Sequence, residues 1–372
     1  MKYGEIMSES KYIQEIPIDS YDNLVNIIQG KTDFCKDLRE KFIFRGMEDS
    51  TYELIPSALR KENKLNDFVD EDFKLTLVLT HEQAMKEGFC EKHDYYPDTK
   101  NFTVNKYGKI IKTKSKDYAL SMEEFQCVKE LNALMNFFSY ADKVGLKVPT
   151  NQTVRQFLEH DFKNIFDHEK SYWSDENYYE LMALGQHYGI PTRALDWSYD
   201  YKVSLYFAVK NILNDNYILE EKPKSGILWA FNYKYFNTDR ITETKTYRTI
   251  HYRPEYSPNP NLNAQKGLFT FITKRVNEDA NESYDKFIEN LLDTYPQVKR
   301  RIPKNEPVFY KFIIPEEEKP NILKELYAER YSEEYLFPGY LGVSQTIENR
   351  IKLNKLIKTQ IKLNYYKSKQ NK

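Results

Sequence analysis

The stretch "ALGQHYGIPTRALDWSYDYKVSLYFAV", residues 183–209, decides how this chain is read. Elsewhere the sequence is largely Lys, Asn, Ile, Tyr and Glu in loose order, with 31 Tyr against 12 Gly and 3 Trp. Here Gln186, His187, Gly189, Pro191, Thr192, Arg193, Asp196, Trp197 and Ser198 stand almost side by side. Gly189, with Pro191 beyond it, ends a helix that begins near Asp175. "TRALDWS" then reads as a short extended piece and "DYKVSLYFAVKNIL" as a second helix. Helix end, turn, strand and next helix thus place donors and acceptors at one edge of a sheet, where ligand sites are common.

The apolar members of this stretch, Leu195, Trp197, Val203, Tyr206 and Phe207, are core candidates. Its polar members need partners, because a buried polar group is paired or used. Two structural roles are open: Asp196 pairs with Arg193, and Ser198 or Asp200 caps the following helix. A second unusual point is Arg45, which ends the apolar run "KFIFRG". A guanidinium on a rigid strand suits bidentate contact with phosphate or carboxylate, and Gly46 lets a backbone or ligand approach closely.

Outward from these points, a short helix is expected within 20–40, helix over 66–90, a polar excursion over 91–120 and helix again over 151–167. "MEEFQCVKELNALMNFFSYADKVG" spaces Phe125, Val128, Leu131, Leu134, Met135 and Phe138 as an amphipathic helix ending near Gly145. "GILWAFN", "AQKGLFTFI" and "PVFYKFIIP" read as strands, 232–263 shows no clear period, and helices close the chain near 318–332 and 345–365. The expected architecture is α+β: one domain over 20–350 with a small mixed or antiparallel sheet, a helical insertion over about 66–180, and a basic tail at 351–372.

Lys plus Arg number 55 and Asp plus Glu 56, so no overall field points to nucleic acid or membrane. No apolar run reaches the roughly 18 residues of a spanning helix, and "MKYGEIMSESKY" has no apolar signal region; a cytoplasmic, membrane-free protein is expected. Cys35, Cys90 and Cys127 form no disulfide or zinc pattern, and the partial set His81, Cys90, His93 lacks a fourth ligand. In the tail, Ile347, Ile351, Leu356, Ile357 and Ile361 suggest an apolar docking face, with Lys residues free to meet a polyanion such as RNA or DNA.

Phe44-Arg45-Gly46, the run from Gln186 to Ala208, and Gln265, Gly267 and Phe269 together resemble the FRG domain family of bacteria and phages, with "LFPGYLG" at 336–342 as a further likeness. A weaker resemblance is to ADP-ribosyltransferases of the Arg, Ser, Glu type. It implies Arg45, His187, Ser198 and Gln265 as catalytic residues. Gly46, Gln186, Thr192, Arg193, Asp196, Trp197 and Phe269, with Arg45, would hold NAD, and Trp197 or Phe269 would stack on a ring.

On this resemblance the protein is a toxin or phage-defence effector that modifies a protein or RNA acceptor. It departs from the pattern in having Gln265 where such enzymes carry Glu, with Glu255, Glu333 and Glu334 as substitute acids. Two other classes fit the same residues. One is a metal-independent ribonuclease or phosphodiesterase using His187, Arg45, Arg193 and Asp196; the other is a nucleotide-sensing or protein-interaction module without catalysis.

Overall fold

The computed structural model describes residues 11–32, 36–86, 100–112, 122–152, 154–155, 176–214, 224–236, 247–257, 259–274, 283–303 and 306–370. Its strands are β1 (Ile13–Pro17), β2 (Ile43–Met47), β3 (Lys74–Leu79), β4 (Lys100–Asn105), β5 (Ile110–Lys112), β6 (Leu195–Ser198), β7 (Gly226–Phe231), β8 (Tyr247–Tyr252), β9 (Gly267–Lys274) and β10 (Phe309–Ile314). The helices are α1 (Tyr21–Ile28), α2 (His81–Lys86), α3 (Met122–Lys143), α4 (Tyr179–His187), α5 (Tyr201–Val209), α6 (Pro260–Ala264), α7 (Tyr284–Thr294), α8 (Pro296–Lys299), α9 (Lys319–Ala328), α10 (Glu333–Leu336) and α11 (Tyr340–Gln370). The fold is α+β.

A seven-stranded sheet runs β1-β10-β7-β2-β6-β9-β8, antiparallel throughout except for the parallel β1–β10 pair. Its joints are unequal. β2 pairs with β7 through five residues and β6 with β9 through four, whereas β2 meets β6 only at Phe44 opposite Ser198. Beyond that pair the two strands part, and the sheet is split along this seam.

Strand alternation sends Phe44, Ala230, Ser198, Asp196 and Phe269 to one face and Trp197, Leu268 and Trp229 to the other. On the first face, α1, α5, α9 and α11 cover Phe44, Ala230 and Phe312, while α3 and α4 cover Ile250, Phe269 and Phe271. Helices α7 and α8 cover Trp197, Trp229 and Phe231 on the second. The seam lies between the two helix groups of the first face.

Close packing sets its shape. A Cβ on Gly46 would stand 1.7 Å from the Ser204 carbonyl oxygen, so only glycine lets α5 lie this near β2. The Ser204 hydroxyl donates to the Phe44 carbonyl at 2.8 Å in the same contact. Gly46 therefore serves the approach of a backbone, one of the two roles expected for it.

Several expectations change. The 66–90 segment holds β3, with Leu77 and Leu79 on one buried face, and the 100–112 segment holds β4 and β5; the three strands form a second sheet packed on Phe125 and Val128 of α3. The region 232–263 contributes β8 and α6. Most of the helix expected over 151–167 lies outside the described residues, as do Cys35, Cys90 and His93. In α11, Leu353, Leu356 and Ile357 dock on the core, whereas Ile347, Ile351 and Ile361 are exposed, so the expected apolar face divides in two. Among the described residues no helix is long and apolar enough to cross a membrane.

Candidate functional site

A cavity of about 380 Å³ occupies the split, within the size range of small-molecule sites. Arg45, Gln186, His187, Asp196, Ser198, Gln265 and Phe269 all line it, together with Gly46 and Trp197. Residues from β2, the end of α4, β6 and the α6–β9 turn are thus brought to one place. Thr192 and Arg193 are not among the lining residues.

Arg45 is the centre of the arrangement. Its Nη1 donates to the Asp196 carbonyl at 2.8 Å and pairs with the Asp196 Oδ1 at 2.5 Å, bridging the parted strands. The Arg45 side chain is 11% exposed and that of Asp196 63%, so the carboxylate faces the open cavity while the guanidinium is set into its wall. The Arg45 Nε is buried and has no hydrogen-bond partner.

Desolvation pushes the Asp196 carboxyl up, but the charge and hydrogen bond of Arg45, helped by Arg60, outweigh it and hold the group below its ordinary range. Asp196 is therefore ionised at neutral pH. The expected Asp196–Arg193 pair is not formed.

Arg193 points the other way. Its Nε and Nη2 make a bidentate pair with Glu130 of α3, both contacts at 2.9 Å, and Nη2 also contacts the Cys127 sulfur at 3.1 Å. At 5% and 0% exposure, Arg193 and Glu130 tie the turn after α4 to α3, and neither lines the cavity. Thr192 is also fully buried. Its hydroxyl donates to Gln186 Oε1, and its backbone pairs with Ser57 and Ala58, with N–H to Ser57 Oγ at 3.1 Å and C=O to Ala58 N–H at 3.0 Å.

Gln186 passes this support on, its Nε2 donating to Asp196 Oδ1 at 3.1 Å. His187 ends α4, which Gly189 (φ +90°) allows the chain to leave. Its Nε2 lies 2.8 Å from Asn261 Nδ2 and so accepts there, which places its proton on Nδ1. Burial lowers the His187 pKa against the opposing pull of Asp196, so the ring is neutral at pH 7.

Two expected catalytic groups are engaged elsewhere. Ser198 Oγ donates to the Gln265 carbonyl at 2.7 Å and accepts from the Asp200 N–H at 2.9 Å. Asp200, as expected, caps α5 through the Lys202 N–H at 3.0 Å. Gln265 is not on the strand; it caps α6, and its Nε2 donates to the Leu336 carbonyl at 3.1 Å.

The Trp197 ring turns to the second face, where Nε1 donates to Thr270 Oγ1 at 2.8 Å and the ring lies against Phe231 and Tyr284. Phe269 is buried among the α3–α4 core residues. Glu333 is bound by the hydroxyls of Tyr206 and Tyr327, each at 2.8 Å, and neither it nor Glu334 nor Glu255 lines the cavity. The carboxylates that do are Asp196 and Glu48.

Other lining residues carry charge or rings that the sequence did not assign to a site: Tyr52, Arg60, Lys210, Phe207 and Phe337. Arg60 follows the Pro56 turn, and its Nε donates to the Ile55 carbonyl at 3.0 Å. Burial, then repulsion from Arg45, lowers its pKa, opposed by Asp196 and Tyr52. Arg45, Arg60 and Lys210 thus face Asp196 and Glu48, which leaves one positive charge in excess for an anion.

No curated protein and no solved structure matches the chain. The FRG domain family model matches residues 129–217, which hold α3 from Lys129 onward, α4, the Gly189–Pro191 turn, β6 and α5. This is the part that supplies Gln186, His187 and Asp196 to the cavity and Arg193 to its support, so the segment similar to the FRG domain family forms one wall of the site.

Proposed function

We propose that the cavity at the β2–β6 split binds a nucleotide-like ligand and that its substrate is NAD, used for ADP-ribosyl transfer. The observation that carries this reading is Arg45: a guanidinium set in the split wall, paired with an accessible Asp196, keeping a buried Nε without a partner and standing near Arg60. A diphosphate supplies the missing acceptors and offsets the second cation.

Transfer breaks the bond between nicotinamide and ribose and leaves positive charge at the ribose carbon. An acceptor must stabilise that charge, and Gln265 is committed to Leu336. Asp196, held ionised by Arg45 and open to the cavity, is the group we assign to it. His187, neutral and carrying its proton on Nδ1, is suited to a ribose hydroxyl or an amide. The role of toxin or phage-defence effector rests on the resemblance alone.

A second reading, binding without turnover, is favoured by the internal hydrogen bonds of Ser198 and Gln265. One experiment separates the two. NAD is titrated calorimetrically into the wild type and an Arg45→Ala variant, and the same samples are assayed for released nicotinamide. Binding lost in the variant, with release by the wild type that an Asp196→Asn variant lacks, is the outcome expected. Binding without release selects the sensing module, and no binding at all removes NAD from consideration.

A further inference from the structure

Trp197 and Phe269 are both committed to the interior, so ring recognition in this cavity needs another side chain. Phe207 and Phe337 also line it but are half-buried and pack edge to face on each other, which leaves Tyr52. It lines the cavity and is 53% exposed, whereas the exposed Tyr107, Tyr140, Tyr188, Tyr335 and Tyr340 lie away from it. Its ring stacks on no other aromatic side chain among the described residues.

Its backbone is nevertheless held firmly. Asp49 Oδ1 accepts from the Thr51 N–H at 2.9 Å and the Thr51 hydroxyl at 2.8 Å, and its Oδ2 pairs with Lys224 at 2.8 Å. The Ser50 N–H donates to the Ser225 carbonyl at 2.8 Å and the Tyr52 N–H to the Asp49 carbonyl at 3.2 Å. The turn is thereby fixed to the segment leading into β7. An aromatic side chain left open on an anchored turn loses little freedom when a flat ring settles on it.

The neighbourhood defines what that ring carries. Tyr52 and Arg60 are close enough to interact electrostatically, and Arg60 in turn feels Arg45 and Asp196. Arg60 is itself placed by the Ile55 carbonyl and by the Ser57–Thr192 contacts. Ring platform and both cations line the same cavity, with Tyr52 exposed and Arg45 set into the wall at the split. A base on the open side and phosphates at the wall fit that arrangement.

We propose that Tyr52 is the stacking platform for the heterocyclic base of a nucleoside diphosphate whose phosphates lie between Arg60 and Arg45. This rests on the nucleotide reading above and adds to it the orientation of the ligand, base outward and phosphates at the seam. Stacking on an aromatic side chain is sequence-tolerant and substantial, so the loss of the ring is measurable.

The test titrates ADP and inorganic pyrophosphate into the full chain as wild type, Tyr52→Ala and Tyr52→Phe. Tyr52→Ala is expected to weaken ADP roughly tenfold or more. Pyrophosphate should stay within about twofold of the wild type, and Tyr52→Phe should keep ADP binding, since it retains the ring. ADP bound equally by the wild type and Tyr52→Ala overturns the platform, as does an equal loss of ADP and pyrophosphate, which would mean that the turn merely positions Arg60. A wild type that binds neither probe overturns the nucleotide reading itself, and the platform falls with it.

Discussion

Strand β6 has two neighbours and two kinds of joint. Toward β9 it is closed by four residue pairs, and the groups along that joint are structural: Trp197 bonded to Thr270 and Ser198 bonded across to the Gln265 carbonyl. Toward β2 a single pair holds, and beyond it the polar groups face a cavity. Arg193 and Arg45 repeat the contrast. One is buried against a buried Glu130, the other sits in the wall against an Asp196 open to solvent. Residue type alone does not make a binding group; the backbone must also leave it a space and an unfilled hydrogen bond.

Removing each arginine in turn should separate the closed joint from the open one most clearly. Arg193→Ala leaves Glu130 buried without its partner and is expected to cost about 3–5 kcal/mol. The double change Arg193→Met with Glu130→Leu should recover most of that loss, because an apolar pair of similar size removes both buried charges. Arg45→Ala, whose partner carboxylate already meets water, should change stability by no more than about 1 kcal/mol while abolishing ligand binding. Urea melts of the three variants beside the wild type decide it. A larger loss in Arg45→Ala than in Arg193→Ala would reverse the roles.

A smaller effect is expected at Gly46. In Gly46→Ala the added carbon meets the Ser204 carbonyl at 1.7 Å and the Ala208 nitrogen at 2.7 Å, both backbone atoms of α5, so helix or strand must shift. Overpacking of this kind costs about 1–3 kcal/mol. Because α5 also walls the cavity through Val203, Ser204 and Phe207, ligand affinity should fall with stability. A variant with wild-type melting and binding would show that β2 and α5 do not lie this close.

These contrasts mark what was legible in the sequence. The stretch 183–209 stood out because it broke the composition of the chain, and its helix, turn, strand and capped helix follow from local signals: Gly189 at positive φ and Asp200 at the N-cap. Amphipathic α3 was equally plain, its six expected apolar residues all buried. The two arginines could not be told apart in one dimension, since Glu130 lies 63 residues from Arg193 and only the packed fold joins them. Arg60 and Tyr52 reach the cavity because Thr192 and Ser225 hold their turns, contacts between segments far apart in the chain. The short strands β3–β5 were hidden by their charged residues, although Leu75, Leu77 and Leu79 alternate.

Gln265 is a different case, because its signal was present. "NPNLNAQ" places Asn259 before Pro260, a helix start, and Asn259 indeed caps α6 by accepting from the Leu262 N–H at 3.0 Å. Reading "AQKGLFTFI" as one strand put Gln265 where a catalytic Glu would stand. At its actual place the amide donates to the Leu336 carbonyl and fastens the α6–β9 turn to the segment carrying Phe337.

Gln265→Glu tests the difference with the smallest change. If the amide stood in for a missing carboxylate, the variant would release nicotinamide faster than the wild type. In the geometry described it instead turns an acceptor toward the Leu336 carbonyl and loses a donor, which should cost about 1 kcal/mol and leave turnover no higher. Faster release from Gln265→Glu would return the charge-stabilising role to position 265 and take it from Asp196. Unchanged or slower release, with a lower melting temperature, keeps Gln265 as the fastening of the closed joint and Asp196 as the carboxylate of the open one.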